Sequence, residues 1–529
     1  MSRAPTRIVS VAQQARSNRS AERWARAAVA ALALFVVAVG TFLGSVLFML
    51  AFAVLLFGAI AILVYPLLGV YLIVFFSVVS EYQGSGWYPW SLNFSSRGSV
   101  LFVHDALSLS PLDLYLGLTL LSWLVRAASD REARAGGGEL RWPMAAFGTM
   151  AFAGLVWGVG VRGGDRVIAI WEFRPVLYLP LMYLLTSKLF TRTAHYRAAF
   201  AVALAALVIH DGLAYGYYAA MSAETRAALE TLTEHQASVL YAWCLLLLVA
   251  LVAFRGGSAR WRIPVAVIAL PTAGLFVLSQ RRAAFVGLAF GFIVFSIVLA
   301  YRRRRAFRVM VPTVTVLALG YTAAFWNSTS GIGFGARAVK SVFASDTVSE
   351  RDAASNIYRT IENVDLLFTI RTEPLTGVGF GRPFYQPYAL PDISFFEFYQ
   401  YIPHNSVLYI WLKMGYPGFV ALLLTLAFAI RAGIRAALRL PSGDHLAINV
   451  AALAYVTMFS VFAFVDIAWE ARTSVFLAVC MATCANYLTL WEHEHAVVPA
   501  GRPARRHRNR SRRRVHRSVR HPAYAPARV

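Results

Sequence analysis

His404 and Asn405 open the segment HNSVLYIWLKMGYPG, which runs to Gly418 where a long polar stretch gives way to an apolar one. A neutral imidazole accepts a proton from a hydroxyl near pH 7. A histidine at such a lip therefore suits general-base work on substrates held in water or anchored in lipid. Asn405 is positioned to orient that imidazole or a bound sugar. A second chemical pair, Arg281 and Arg282, occupies a very short turn between two apolar runs. Adjacent guanidiniums repel unless an anion joins them, and a guanidinium fork holds phosphate through paired hydrogen bonds. A diphosphate on a membrane lipid would bring its charge to this depth. Fixed cations would stabilise the negative charge that develops as a sugar leaves it. The long loop has no Asp-x-Asp pair to hold a divalent metal. The expected transfer is therefore metal-independent and cofactor-free, with arginines in the cation's place.

Other polar residues interrupt the apolar runs. Glu172 and Arg174, His210 and Asp211, Glu234 and His235, and Asp466, Glu470 and Arg472 all fall toward the same end of their spans as His404. Charges in a bilayer are costly and tend to mark function. Asp466 and Arg472 read instead as markers of helix ends. Cys244, Cys480 and Cys484 lie in apolar runs, so no disulfide framework is implied. Cys480 and Cys484 share a helix face and read as packing, since two thiols without further ligands make a poor metal site.

These residues need elements to position them. The chain has 529 residues, 58% hydrophobic and only 14% charged, too apolar for a soluble protein of this length. Apolar runs long enough to cross a bilayer recur along nearly the whole chain, which predicts an all-α, polytopic integral membrane protein of about 12–14 transmembrane helices. One long, partly helical external loop precedes the third-last helix. The expected organisation is a basic tail at 1–26, transmembrane helices over 27–326, the loop at 327–403, the last three helices over 404–490 and a basic tail at 491–529. Within 27–80, Gly44 and Pro66 divide three spans.

The short connections at 126–142, 188–197, 255–262, 301–308 and 431–439 are rich in arginine and lysine, YRRRRAFR being the clearest. By the positive-inside rule these face the cytoplasm with both tails, and the long loop faces the periplasm or exterior. The N-terminal 26 residues carry six arginines and one glutamate (+5), and the stretch from His495 onward eleven arginines and no acid (+11), so the tails hold +16 of the net +24. Beside a membrane such tails read as contacts for anionic lipid or topology anchors rather than as nucleic-acid binders.

The long loop has its own plan. Ser349 with Asp352 resembles a capping box, and Ile357, Ile361, Val364 and Phe368 then recur at helical spacing, predicting an amphipathic helix that ends at Pro374. Its apolar face should lie on the membrane surface or on the bundle. GVGFG at 377–381 follows a helix, not a strand, and reads as a tight turn allowing close backbone approach rather than as a phosphate loop. The aromatic run Phe395–Tyr401 reads as an interface belt or a sugar-stacking surface.

The spacing His-Asn-x9-Gly-x2-Gly, with Gly415 and Gly418, resembles the signature of the O-antigen ligase and O-antigen polymerase superfamily of bacterial membrane glycosyltransferases. The turn Ser279-Gln-Arg-Arg-Ala-Ala looks like that family's Ser-Arg-small pattern, with Gln280 and Arg281 intervening and Arg282 fitting its arginine best. Arg359, Pro374 and the glycine-rich turn before His404 add to the likeness, which spans roughly residues 100–490. Arg174 and Arg226 are candidates for the family's other external arginine.

The resemblance implies glycan transfer from an undecaprenyl-diphosphate-linked donor to an acceptor outside the bacterial inner membrane. That acceptor is lipid A-core in ligases, a growing polysaccharide in polymerases and a protein in related members. It implies His404, Arg282 and Arg281 as catalytic residues. Asn405, Arg174, Arg226, Arg359, Gly377, Gly379, Gly415 and Gly418 would bind substrate. A protein O-oligosaccharyltransferase and a lipid-linked glycan flippase or transporter are the alternatives. A transporter would more often show internal repeats and charges at the bilayer midplane.

Overall fold

The computed structural model describes residues 46–80, 93–129, 138–227, 229, 231–255, 259–328, 331–343, 350–391 and 398–496. The span expected from residue 27, Ser349 of the capping box, residues 395–397 of the aromatic run and nearly all of both basic tails lie outside them. The described residues form helices and no strand. In chain order these are α1 (Val46–Val64), α2 (Pro66–Val79), α3 (Pro111–Ser129), α4 (Arg141–Leu155), α5 (Arg166–Leu189), α6 (Thr193–Ala220), α7 (Ala223–Ala227) and α8 (Ala237–Ala253). There follow α9 (Ala259–Leu278), α10 (Arg282–Arg302), α11 (Arg304–Ala324), α12 (Phe334–Phe343), α13 (Glu350–Thr372), α14 (Ser406–Arg439), α15 (Asp444–Val465) and α16 (Ala471–His495). Nine of the described helices are long and apolar enough to cross a membrane, and three shorter apolar helices accompany them. The chain is thus an all-α polytopic membrane protein.

The core lies around α15 and α16. α15 packs on α8, α10 and α14, and α16 on α5, α14 and α15. α1 and α11 sit at the periphery, with apolar side chains such as Leu50, Phe57, Val316 and Leu319 exposed, a surface suited to hydrocarbon. Helix starts follow local chemistry. Pro66 opens α2, where its missing N–H costs nothing. The Asp165 carboxylate caps α5 by accepting from the N–H groups of Val167 and Ile168.

The basic connections gather at one end of the bundle and tie it together. Arg302 donates to the carbonyls of Leu438 and Leu440, at the end of α14. Arg303 donates to Ala253 at the end of α8, and Arg126 to Val64 at the end of α1. Arg431 and Arg435 pair with Glu139. Guanidiniums here satisfy the orphan carbonyls and negative dipole ends of neighbouring helices.

The segment after α13 is threaded into the bundle rather than laid over it. α4 ends in a single π-helical turn, Val156–Val161, and α14 breaks at Gly415 (φ 64°), so the first of the three helices expected over 404–490 is two helical pieces running on to Arg439. Into these two irregularities fits residues 374–382. The N–H of Val378 donates to Leu412 O (2.8 Å), that of Phe380 to Gly154 O (3.3 Å), and Pro374 O accepts from Tyr416 N–H and the Trp411 indole (2.9 Å each). Non-helical backbone at membrane depth persists only where protein satisfies it in this way. At Gly379 (φ +84°) an added Cβ would lie 2.3 Å from the Gly158 Cα, and at Gly415 2.0 Å from the Leu375 carbonyl oxygen. Beneath this interlock Lys413 and Glu172, both 0% exposed, form an ion pair at 2.7 Å. Glu172 also accepts from Gly381 N–H (2.6 Å), and Lys413 donates to Arg382 O (2.5 Å).

Candidate active site

The site lies at the end of the bundle opposite the basic connections, where the starts of α14 and α10 meet α13. Asn405 is the N-cap of α14: its side-chain oxygen accepts from Leu408 N–H at 3.0 Å, while its amide donates to Asn363 of α13 at 3.2 Å. That cap fixes the backbone at His404. The His404 ring, one-fifth exposed, has Nδ1 3.2 Å from Glu362 Oε1, and its backbone N–H donates to Glu362 Oε2 at 3.0 Å. Glu362 is 1% exposed. Tyr358, one turn earlier on α13, meets the imidazole edge-on with centroids 5.5 Å apart.

The arginine turn stands nearby. α9 ends at Leu278, Gln280 takes a left-handed conformation (φ 50°), and Arg281 is the N-cap of α10. The Gln280 amide donates to Leu229 O (3.1 Å), and Ser279 O accepts from Thr231, which pins the turn to the segment before α8. Arg281, Arg282 and Arg359 line one cavity with Gln280, Ser355, Phe334 and Asp466. Arg282 donates to Asn356 of α13 at 3.0 Å. Asp466, buried just past α15, lies 3.0 Å from His235 Nδ1 and 3.8 Å from Arg359. Burial pushes its carboxyl up, but His235, Arg359 and Arg281 outweigh that and hold it well below the usual carboxylate range. The wall connects back to the histidine, because Ser406 Oγ donates to Asp466 O at 3.0 Å. Three guanidiniums face one carboxylate in the lining, so the cavity suits an anion with an oxygen-rich head.

The structure thus brings together His404, Asn405, Arg281, Arg282 and Arg359. It does not bring the remaining predicted residues there. Arg174 is held by Asp113 (2.9 Å), Asn93 (2.8 Å) and Ser108, anchoring the segment before α3. Arg226 donates to Met221 O and Ala219 O, closing the C-terminal end of α6. Gly377, Gly379, Gly415 and Gly418 meet backbone and Met414 in the interlock, not the cavity. Their job is close packing, because a side chain at any of them has no room. His210 and Asp211 form a separate buried cluster with Tyr241 and Thr272.

Two residues at the site escaped the sequence reading. Asp466 reads as a helix-end charge because its partners, His235 and Arg359, are more than a hundred residues distant. Glu362 is not marked by the apolar spacing, which defines the other side of α13. Its signal was present: a carboxylate three residues after Arg359, on the polar face of a helix with an apolar stripe. That stripe points away from the bundle, with Ile357, Val364 and Phe368 exposed and Tyr358, Glu362 and Asp365 buried.

Fold and site together define a polytopic helical membrane protein with an anion-suited cavity beside a carboxylate-bound histidine. Residues 265–423 match the family model described as O-Antigen ligase, so this part of the chain is similar to that family. The match runs from within α9 past Gly418, and includes Arg281, Arg282, Arg359, Glu362 and His404 while leaving His235 and Asp466 outside. No curated protein matches the chain.

Proposed function

We propose that the chain is a glycosyltransferase of the bacterial inner membrane. In this reading it transfers a glycan from undecaprenyl diphosphate to lipid A-core or a growing polysaccharide, on the periplasmic face and without a metal. The observation that carries the reading is the three-arginine cavity beside His404 in the part of the chain similar to the O-antigen ligase family. In the step, the acceptor hydroxyl gives its proton to the His404 imidazole as its oxygen attacks the anomeric carbon. The bond from that carbon to the diphosphate oxygen breaks, and the diphosphate leaves with the electron pair. Its rising charge is met by the guanidiniums. The polar groups at one end of the spans, rather than at midplane, favour transfer over transport. The arginine-rich opposite end sets the orientation by the positive-inside rule.

The test uses the full chain in nanodiscs with lipid-diphosphate donor, each acceptor class in turn, and EDTA. Transfer to a glycan acceptor should persist in chelator. In cells, an impermeant thiol reagent should label a single cysteine placed at Ser345 and not one at Ser518. Absence of transfer to any glycan acceptor removes the proposed activity, transfer to protein alone replaces it with the oligosaccharyltransferase reading, and external labelling at Ser518 reverses the orientation.

A further inference from the structure

We infer that Glu362 is a positioning residue for His404: its buried carboxylate selects the imidazole tautomer with the proton on Nδ1 and aims Nε2 at the acceptor hydroxyl. The inference deepens the transfer reading above and rests on it.

Glu362 spends both carboxylate oxygens on a single residue. Oε2 accepts the His404 backbone N–H at 3.0 Å, and Oε1 lies 3.2 Å from Nδ1 of the same residue. A tie between helix and loop alone would need only the first of these. An ionised carboxylate is acceptor-only, so the contact at Nδ1 requires a proton there, which leaves the lone pair of the neutral ring on Nε2. The Tyr358 ring, edge-on at 74° to the imidazole, limits its rotation from the side. Asn405, tied to Asn363 one position beyond Glu362, fixes the backbone that carries the ring. The orienter is thus 1% exposed while the ring remains one-fifth exposed, the division expected when one ring nitrogen is held and the other works. The same logic of a buried carboxylate setting a base's tautomer operates in hydrolase triads. The charged and titratable groups facing the imidazole are Glu362 and Tyr358 from α13 and His235 from the segment before α8, with Asp466 and Arg359 beyond His235.

The test compares Glu362→Gln with the full wild-type chain in nanodiscs, using lipid-diphosphate donor and glycan acceptor. The amide keeps the shape but offers one acceptor oxygen where two donors point, so either the tautomer or the backbone tie is lost. Turnover should fall by at least about tenfold, as for other orienting carboxylates, with the donor KM little changed. A merely structural glutamate would leave the tautomer of His404 unset. On a His404→Ala background the second substitution should add no further loss. Independently of any variant's folding, ¹⁵N-histidine spectra of the wild-type chain, with His404 assigned by its absence in His404→Ala, should show the Nδ1–H tautomer at pH 8. The Nε2–H tautomer overturns the inference. So does a wild-type rate in Glu362→Gln when His404→Ala is slow. Normal transfer by His404→Ala removes the base role of His404 and with it the inference, whereas absence of transfer by the wild-type chain defeats the transfer reading itself.

Discussion

Arg281 and Arg282 show what two adjacent residues can and cannot reveal. Their placement in a short turn is legible because neighbouring guanidiniums between two apolar runs call for an anion. The structure supplies part of that anion as Asp466, ionised and buried beside Arg281, Arg359 and His235. The sequence hid this because carboxylate and arginines meet only in the folded chain. Arg282 spans from the start of α10 to Asn356 of α13, which places its guanidinium plane at the cavity wall. Arg282→Lys keeps the charge and loses the fork. Its transfer rate should fall closer to that of Arg282→Ala than to wild type, measured with saturating acceptor and varied lipid-diphosphate donor. A lysine variant at the wild-type rate would reduce the role of Arg282 to charge alone.

At the scale of elements, the glycines of the His-Asn-x9-Gly-x2-Gly pattern do mechanical work. Gly415 interrupts α14, the π turn interrupts α4, and residues 374–382 bond to the backbone groups around the two irregularities. The expectation of a tight, close-approach turn at 377–381 describes this correctly. The structure places these glycines in the packing and outside the cavity lining; spacing records where a side chain is forbidden without saying what occupies the space. Nor could the pairing of Lys413 with Glu172 be read from a chain in which 240 residues separate them. Breaking a buried pair on one side strands a charge and typically costs about 3–5 kcal/mol, whereas apolar replacement of both partners costs much less. Lys413→Met should therefore lower the unfolding temperature in detergent well below that of Lys413→Met/Glu172→Leu, read by intrinsic tryptophan fluorescence. Equal stability of wild type and Lys413→Met would show that the pair does not hold the threaded segment.

For the whole molecule, hydropathy and arginine placement were enough to read the fold class, because the bilayer leaves a chain of this composition few ways to satisfy its backbone. Most of the expected spans fall on helices, and Pro66 starts one as expected. What hydropathy could not supply is the depth of the segment after α13, which is polar enough to read as surface and yet is packed among the spans. That threading matters for function, since it sets the approach of α13 to α14 and so the meeting of Glu362 with His404. The central claim, that His404 takes the acceptor's proton while the arginines hold the diphosphate, is tested most directly by His404→Ala. The variant is assayed as full chain in nanodiscs with lipid-diphosphate donor, glycan acceptor and EDTA, with donor binding measured alongside. The account predicts turnover lower by about 10²–10⁴, the usual worth of general-base catalysis, with donor affinity largely retained and the chain folded. Glycan transfer at the wild-type rate by His404→Ala would contradict it.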